Sequence, residues 1–226
     1  MMKTRASPNH GPRPEGTSID MLVLHYTGMK SASEALDRLC DAAAQVSAHY
    51  VIEEDGTVWR LVDEGQRAWH AGVSCWRGQR DVNARSIGIE ICNPGHDWGY
   101  RAFPAAQMQA VSELCRAILA RHPIPRRNVV GHSDVAPWRK QDPGELFDWR
   151  GLALQGIGLW PQSDSEPASI AEAPAMLARY GYDLGAQHIE AVVRAFQRHF
   201  RPSLVSGQLD AECLAVLAGL TAAIIV

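Results

Sequence analysis

Five side chains in this sequence have types suited to hydrolytic chemistry, and they are scattered along it. His25 lies near the end of the apolar run Met21-Leu22-Val23-Leu24-His25-Tyr26. His132 closes a second short run, Asn128-Val129-Val130-Gly131-His132, and Asp142 follows in a loop with Pro137, Pro143 and Gly144. A histidine at a strand end, taken alone, reads as a packed residue, because imidazole is often partly buried. Two such histidines and a loop carboxylate meeting at one sheet edge would instead form a three-ligand zinc site, with water in the fourth position. Their separations make no compact motif. Glu90 sits in the alternating stretch Ser86 to Cys92, on the face opposite Ile87, Ile89 and Ile91. It is either a general base or part of a solvated strand face. Lys140 lies two residues before Asp142, so both can point the same way in extended chain. It is either an oxyanion-stabilising cation or a surface lysine.

The elements that must position these groups are legible as patterns. The run around Leu22 to Leu24 is nearly all apolar, as in a strand buried on both faces. Ser31-Ala32-Ser33-Glu34 fits a capping box that opens a helix through Leu36, Leu39, Cys40 and Ala43. Tyr50-Val51-Ile52 and Val58 to Val62 flank Asp55-Gly56, a tight-turn signal for a hairpin. Residues 63–85 lack periodicity and read as a long surface loop, where function often resides. Pro104 can open a helix whose buried stripe is Met108, Val111, Leu114, Cys115 and Ile118. The intermixed strands and helices predict an α/β fold with a mixed central sheet and flanking helices. After Trp160 the composition shifts to Ser, Ala, Glu and Pro, a linker over 161–174. Three short helical patterns follow over 175–226, a small three-helix C-terminal domain near the lower size limit for independent folding. Residues 1–17, with Pro8, Pro12 and Pro14, read as an extended arm.

The chain has 226 residues and a formal charge of -3, which argues against bulk nucleic-acid binding because no basic excess is present. With 46% hydrophobic and 21% charged residues it is not a disordered chain. No apolar run reaches the roughly 20 residues of a membrane span. The five cysteines are odd in number and contain no CxxC pair, so free thiols are expected rather than a disulfide framework. No secretory signal is visible at the N-terminus. That and the free thiols favour the cytoplasm, with the periplasm or cell envelope as the alternative.

Seven segments occur in an order that carries a family resemblance. They are Leu24-His25-Tyr26-Thr27, Ser47-Ala48-His49-Tyr50-Val51-Ile52, Asp55-Gly56-Thr57-Val58, Trp69-His70-Ala71-Gly72, Ser86-Ile87-Gly88-Ile89-Glu90, Val130-Gly131-His132-Ser133-Asp134 and Lys140-Gln141-Asp142-Pro143-Gly144. Residues 18–160 resemble the zinc-dependent N-acetylmuramoyl-L-alanine amidases of the type 2 amidase family, related to peptidoglycan recognition proteins. The tail resembles a peptidoglycan-binding module through Tyr180-Gly181-Tyr182, Ala195 to Pro202, and Gly207-Gln208-Leu209-Asp210. The resemblance implies a zinc ion on His25, His132 and Asp142, Glu90 as catalytic acid/base and Lys140 as second catalytic residue. A tyrosine used by some relatives falls near Ala48, which leaves its role to Glu90. Asp142 stands where some branches carry cysteine. The implied reaction is hydrolysis of the amide between N-acetylmuramic (or anhydro-N-acetylmuramic) acid and L-alanine, in peptidoglycan or muropeptide fragments, for cell-wall turnover or recycling. A non-catalytic peptidoglycan sensor and a peptidase cutting within the stem peptide are the alternatives on the same scaffold.

Further candidates line the expected loop and strand. His70 and Trp69 could bind substrate, and His70 could equally be structural. Arg85 could pair with a peptide carboxylate or with a surface acid. His49 reads as a packed histidine. Trp76, Trp98 and Trp138 could line a groove or fill a core.

Overall fold

The computed structural model describes residues 2–161, 165–185 and 189–224. Residues 162–164 of the expected linker and 186–188 and 225–226 of the expected C-terminal domain lie outside them. Two short strands come first, β1 (Lys3–Thr4) and β2 (His10–Pro12). Strand β3 (Met21–Tyr26) leads to helix α1 (Ala32–Cys40) and the hairpin of β4 (Tyr50–Ile52) and β5 (Val58–Arg60). Then come β6 (Gln66–Ala68), the turn of helix α2 (Val82–Arg85), β7 (Ser86–Ile91) and the short α3 (Gly95–Trp98). The long α4 (Ala105–Arg121) precedes β8 (Val129–Gly131), α5 (His132–Val135) and α6 (Trp149–Leu154). Helices α7 (Ala173–Tyr180), α8 (Ile189–Phe200) and α9 (Ala211–Ala223) complete the described chain.

The main sheet has six strands in the order β1-β5-β4-β7-β3-β8, and a two-stranded sheet pairs β2 with β6. In the main sheet only the β4–β5 hairpin is antiparallel. Strand β3 is central, and its apolar run follows from cover on both faces. Leu22 and Leu24 join Ile87, Ile89 and Ile91 against Val111, Leu114, Cys115 and Ile118 of α4. Met21 and Val23 point the other way, into a core shared with Trp76, Tyr180, Phe196 and Leu217. A third cluster under α1 combines Leu36 and Leu39 with Val51 and Cys92. The face that carries Met21 and Val23 is therefore roofed by α1 on one side and by the C-terminal helices on the other. His25 is the next residue on that face, by strand alternation.

Local signals explain most boundaries. The Ser31 hydroxyl accepts from the Glu34 amide at 3.2 Å and caps α1. Gly56 adopts φ +87° in the hairpin turn, a left-handed conformation that suits glycine. All five cysteines are free, and all but the half-buried Cys40 are buried.

Several expectations change. The N-terminal arm is extended but tied into the fold. Strand β1 adds to the sheet edge, β2 pairs with β6, and Arg13 donates to the carbonyls of Glu64, Ala84 and Ser86. Residues 63–85 are not one surface loop, because they contain β6 and α2. Their lack of periodicity reflects short elements, each too brief to show a repeat. Trp76 is fully buried and packs against Tyr180 and Tyr182 with ring centroids 5.8 and 5.3 Å apart, so it fills core rather than lining a groove. The three C-terminal helices occur as expected, but they share their apolar core with the sheet instead of enclosing a separate one.

Candidate metal centre and active site

Parallel pairing places His25 beside Glu90 in register, on the face that the roof leaves open. Strand β8 pairs with β3 up to Leu24 and Gly131, which delivers His132 to the same end as the first residue of α5. The Ser133 amide donates to the Asp142 carbonyl at 2.9 Å and draws the Asp142 loop against that turn. The result is a cluster of three donor atoms. His25 Nδ1 lies 2.9 Å from His132 Nδ1 and 3.0 Å from Asp142 Oδ2, and His132 Nδ1 lies 3.1 Å from that oxygen. Each residue is buried.

The surrounding hydrogen bonds bear on which ring nitrogens carry protons. The Ser86 hydroxyl donates its one hydrogen to the Val82 carbonyl at 2.6 Å, so it accepts from His70 Nε2 at 3.1 Å. His70 Nδ1 is then an acceptor, and His25 Nε2 donates to it at 3.0 Å. That leaves a lone pair on His25 Nδ1, facing the cluster. His132 Nε2 lies 3.2 Å from the Ala71 carbonyl and 3.3 Å from Arg139 Nη2; in the tautomer that donates to the carbonyl, its Nδ1 is bare as well. In that tautomer two lone pairs and a carboxylate oxygen converge with no proton to share, a repulsive arrangement that a cation between them relieves. Tetrahedral zinc with nitrogen and oxygen ligands would separate its donors by about 3.3 Å, close to the spacing found. The donor set therefore fits a divalent zinc-like ion, and the outer hydrogen bonds orient it.

Electrostatics favour the same state. Burial and then His132 lower the His25 pKa to about 4, against Asp142, so His25 is neutral at pH 7 without competition from protons. Glu90 goes the other way. Burial, and then the charge of Asp142, push its pKa well above the ordinary value, while Lys140 opposes. Its Oε2 is buried with no hydrogen-bond partner among the described residues. Glu90, Lys140, His132, Asp142, Trp69 and His70 all line one open cavity of about 380 Å³.

The structure thus gathers His25, His132, Asp142, Glu90 and Lys140 at one place. Trp69 lines the cavity. His70 is only 8% exposed and both its nitrogens are engaged, so its place is behind His25. Glycine at position 88 makes room for it, because a Cβ there would lie 2.4 Å from the imidazole. Arg85 is a correction. It stands at the opposite end of β7, at the C-terminus of α2, where its Nε donates to Asp20 Oδ1 at 2.7 Å. His49 is packed as expected, its Nδ1 accepting from the Gly88 amide at 2.9 Å. Ala48 is buried and brings no polar side chain. Trp98 is 55% exposed, with the Lys30 ammonium 4.2 Å above its ring. Sequence reasoning passed over Ser86 and Asp134, although both stand in the quoted segments. It also gave no role to Tyr182 and His199.

Comparison with known proteins agrees with this geometry. A family model described as N-acetylmuramoyl-L-alanine amidase matches residues 15–145. The chain belongs to this amidase family. Among its relatives, N-acetylmuramoyl-L-alanine amidase AmiD of Escherichia coli is 40% identical over 225 residues, 88% of this chain and 80% of that protein. The 1,6-anhydro-N-acetylmuramyl-L-alanine amidase AmpD of Escherichia coli is 35% identical over 160 residues, 63% of this chain and 85% of that one. A structure of Escherichia coli AmiD with anhydro-N-acetylmuramic acid-L-Ala-D-gamma-Glu-L-Lys superposes with TM-score 0.83 and 39% identity, covering 97% of this chain and 93% of the other. AmpDh3 from Pseudomonas aeruginosa, in complex with anhydromuramic pentapeptide, superposes with TM-score 0.85 and 33% identity over 97% and 96% of the two chains. As an amidase of this family, the chain folds as the mixed α/β sheet with flanking helices that its sequence implies. No helix among the described residues is long and apolar enough to cross a membrane.

Proposed function

We propose that this amidase is a zinc enzyme that hydrolyses the amide between the lactyl group of anhydro-N-acetylmuramic or N-acetylmuramic acid and L-alanine. Muropeptide fragments of peptidoglycan are its substrates, and their turnover or recycling is its role. The observation that carries this reading is the convergence of His25 Nδ1, His132 Nδ1 and Asp142 Oδ2 beside an unpartnered Glu90 oxygen in an open cavity. A complete donor set with a base beside it favours hydrolysis over a purely sensing role.

When bound, zinc polarises the scissile carbonyl and lowers the pKa of a water toward about 7. Glu90 accepts the proton of the attacking water and delivers it to the departing nitrogen of L-alanine. A carboxyl with raised proton affinity suits both halves of that transfer. The Lys140 ammonium stabilises the carbonyl oxygen as it gains charge. His70 and Ala71 hold His25 and His132 through their outer nitrogens, so neither ring must reorient. Trp69 flanks the substrate in the cavity. In this reading residues 18–160 do the chemistry and the helices from Ala173 onward add affinity for the polymer.

Mass spectrometry of a digested anhydro-muropeptide tests the proposal. Release of an intact peptide beginning with L-alanine supports it. Shortened stem peptides would mean a peptidase, and binding without product would mean a sensor.

A further inference from the structure

The C-terminal helices do more here than lean on the sheet. Asp134 is 1% exposed and its carboxylate receives three hydrogen bonds. The Gly131 amide donates to Oδ2 at 2.7 Å, from the residue just before His132. The other two donors come from the C-terminal region: the Tyr182 hydroxyl to Oδ1 at 2.6 Å and His199 Nδ1 to Oδ2 at 2.7 Å. Asp134 shares the four-residue α5 with His132, so whatever fixes Asp134 fixes the backbone that presents His132. His199 is itself clamped, stacked on Trp149 with ring centroids 3.8 Å apart. Its neighbour Arg198 donates at 2.9 Å to Oε1 of Gln141, the residue adjoining the second ligand of this region, Asp142. One turn of α8 therefore grips the chain beside two of the three candidate ligands.

We propose that Asp134, Tyr182 and His199 form a positioning device through which the C-terminal helices set the geometry of His132, so that this region is part of the catalytic apparatus as well as any polymer-binding surface. The inference rests on the zinc-amidase reading above. Removing Tyr182 or His199 strips a donor from a buried carboxylate, which must then turn or find water, and the α5 turn moves with it. Residues outside the ligand set that orient it commonly change metal affinity by about 10- to 100-fold.

The test uses the full chain loaded with zinc or cobalt. Tyr182→Phe deletes one hydroxyl, and His199→Phe deletes the donor while keeping a flat ring against Trp149. Leu217→Ala, in the core of the same helices but not among the donors to Asp134, controls for lost stability. The readouts are the zinc dissociation constant by competition with a chromophoric chelator, the visible d–d spectrum of the cobalt form, and kcat and KM on a soluble anhydro-muropeptide. Tyr182→Phe and His199→Phe are expected to weaken zinc binding about 10-fold or more, shift the cobalt bands, and lower kcat with KM little changed. Leu217→Ala is expected to lower Tm and leave the dissociation constant and cobalt bands alone. Wild-type zinc affinity and cobalt bands in both donor variants would overturn the inference. So would equal losses in Leu217→Ala, which would reduce the effect to stability. A wild-type protein that binds no zinc would overturn the amidase mechanism itself, whereas silent donor variants of an active zinc enzyme would overturn only the positioning device.

Discussion

Replacing Glu90 with glutamine separates catalysis from stability in one substitution. The side chain keeps its size and its place beside His25 in the β3–β7 register, but loses the ability to carry a proton. General acid–base transfer contributes about 10²- to 10⁴-fold. Glu90→Gln should therefore lower kcat by that factor, about 3–5 kcal/mol of barrier. Zinc content should hold, because Glu90 is outside the donor set. Stability should move oppositely. Burial and Asp142 raise the folded-state pKa of Glu90, so its contribution is fully present below the unfolded carboxyl pKa. As pH climbs past that value the unfolded chain releases the proton first, and the fold loses stability until the raised pKa is reached. Each tenfold increase in proton affinity corresponds to about 1.4 kcal/mol lost. Zinc-free Glu90→Gln should thus melt higher than zinc-free wild type at pH 7.5, with the gap closing toward pH 4. The assays are product release by chromatography with mass detection, zinc by elemental analysis, and thermal melts at the two pH values. A kcat within threefold of wild type at full zinc occupancy would remove Glu90 from the mechanism.

Asp142→Asn exchanges a charged ligand for a neutral one, and zinc retention through dialysis against a weak chelator should collapse; retained metal would contradict the ligand assignment. Gly88→Ala puts a methyl where the His70 ring now lies, 2.4 Å away. It should cost about 1–3 kcal/mol of stability, and by releasing His25 it should weaken zinc binding, which titration with a metal indicator reads. Arg85→Ala should leave kcat and KM on muropeptides unchanged and cost only about 0.5–1 kcal/mol in chemical denaturation; a raised KM would return Arg85 to the substrate path.

Much of the site was legible because its signals are local. Alternation along Ser86 to Ile91 separates Glu90 from the isoleucines without reference to any partner. The apolar run before His25 likewise marks a strand covered on both faces. The capped start of α1 and the Asp55-Gly56 turn follow from short-range hydrogen bonding and backbone freedom. Arg85 misled because it is near Glu90 in sequence, yet a strand of six residues sets them at opposite ends of the sheet. The roles of Trp76 and His70 stay open in the sequence because a short irregular segment carries no period that says which side chains turn inward.

The sequence by itself determined which groups are available: two strand-end histidines, a loop aspartate, an alternating-face glutamate and a lysine, on strands whose pattern already orients them. Tertiary structure alone decided the partners of the imidazole nitrogens, because Ser86, His70, Ala71 and Arg139 are reached only after packing. It also decided that Tyr182 and His199 close on Asp134, far away in the chain. Hydrogen-bond partners and electrostatic neighbours are set by distances through space. A one-dimensional pattern records those distances only when the partners are a turn or a strand residue apart.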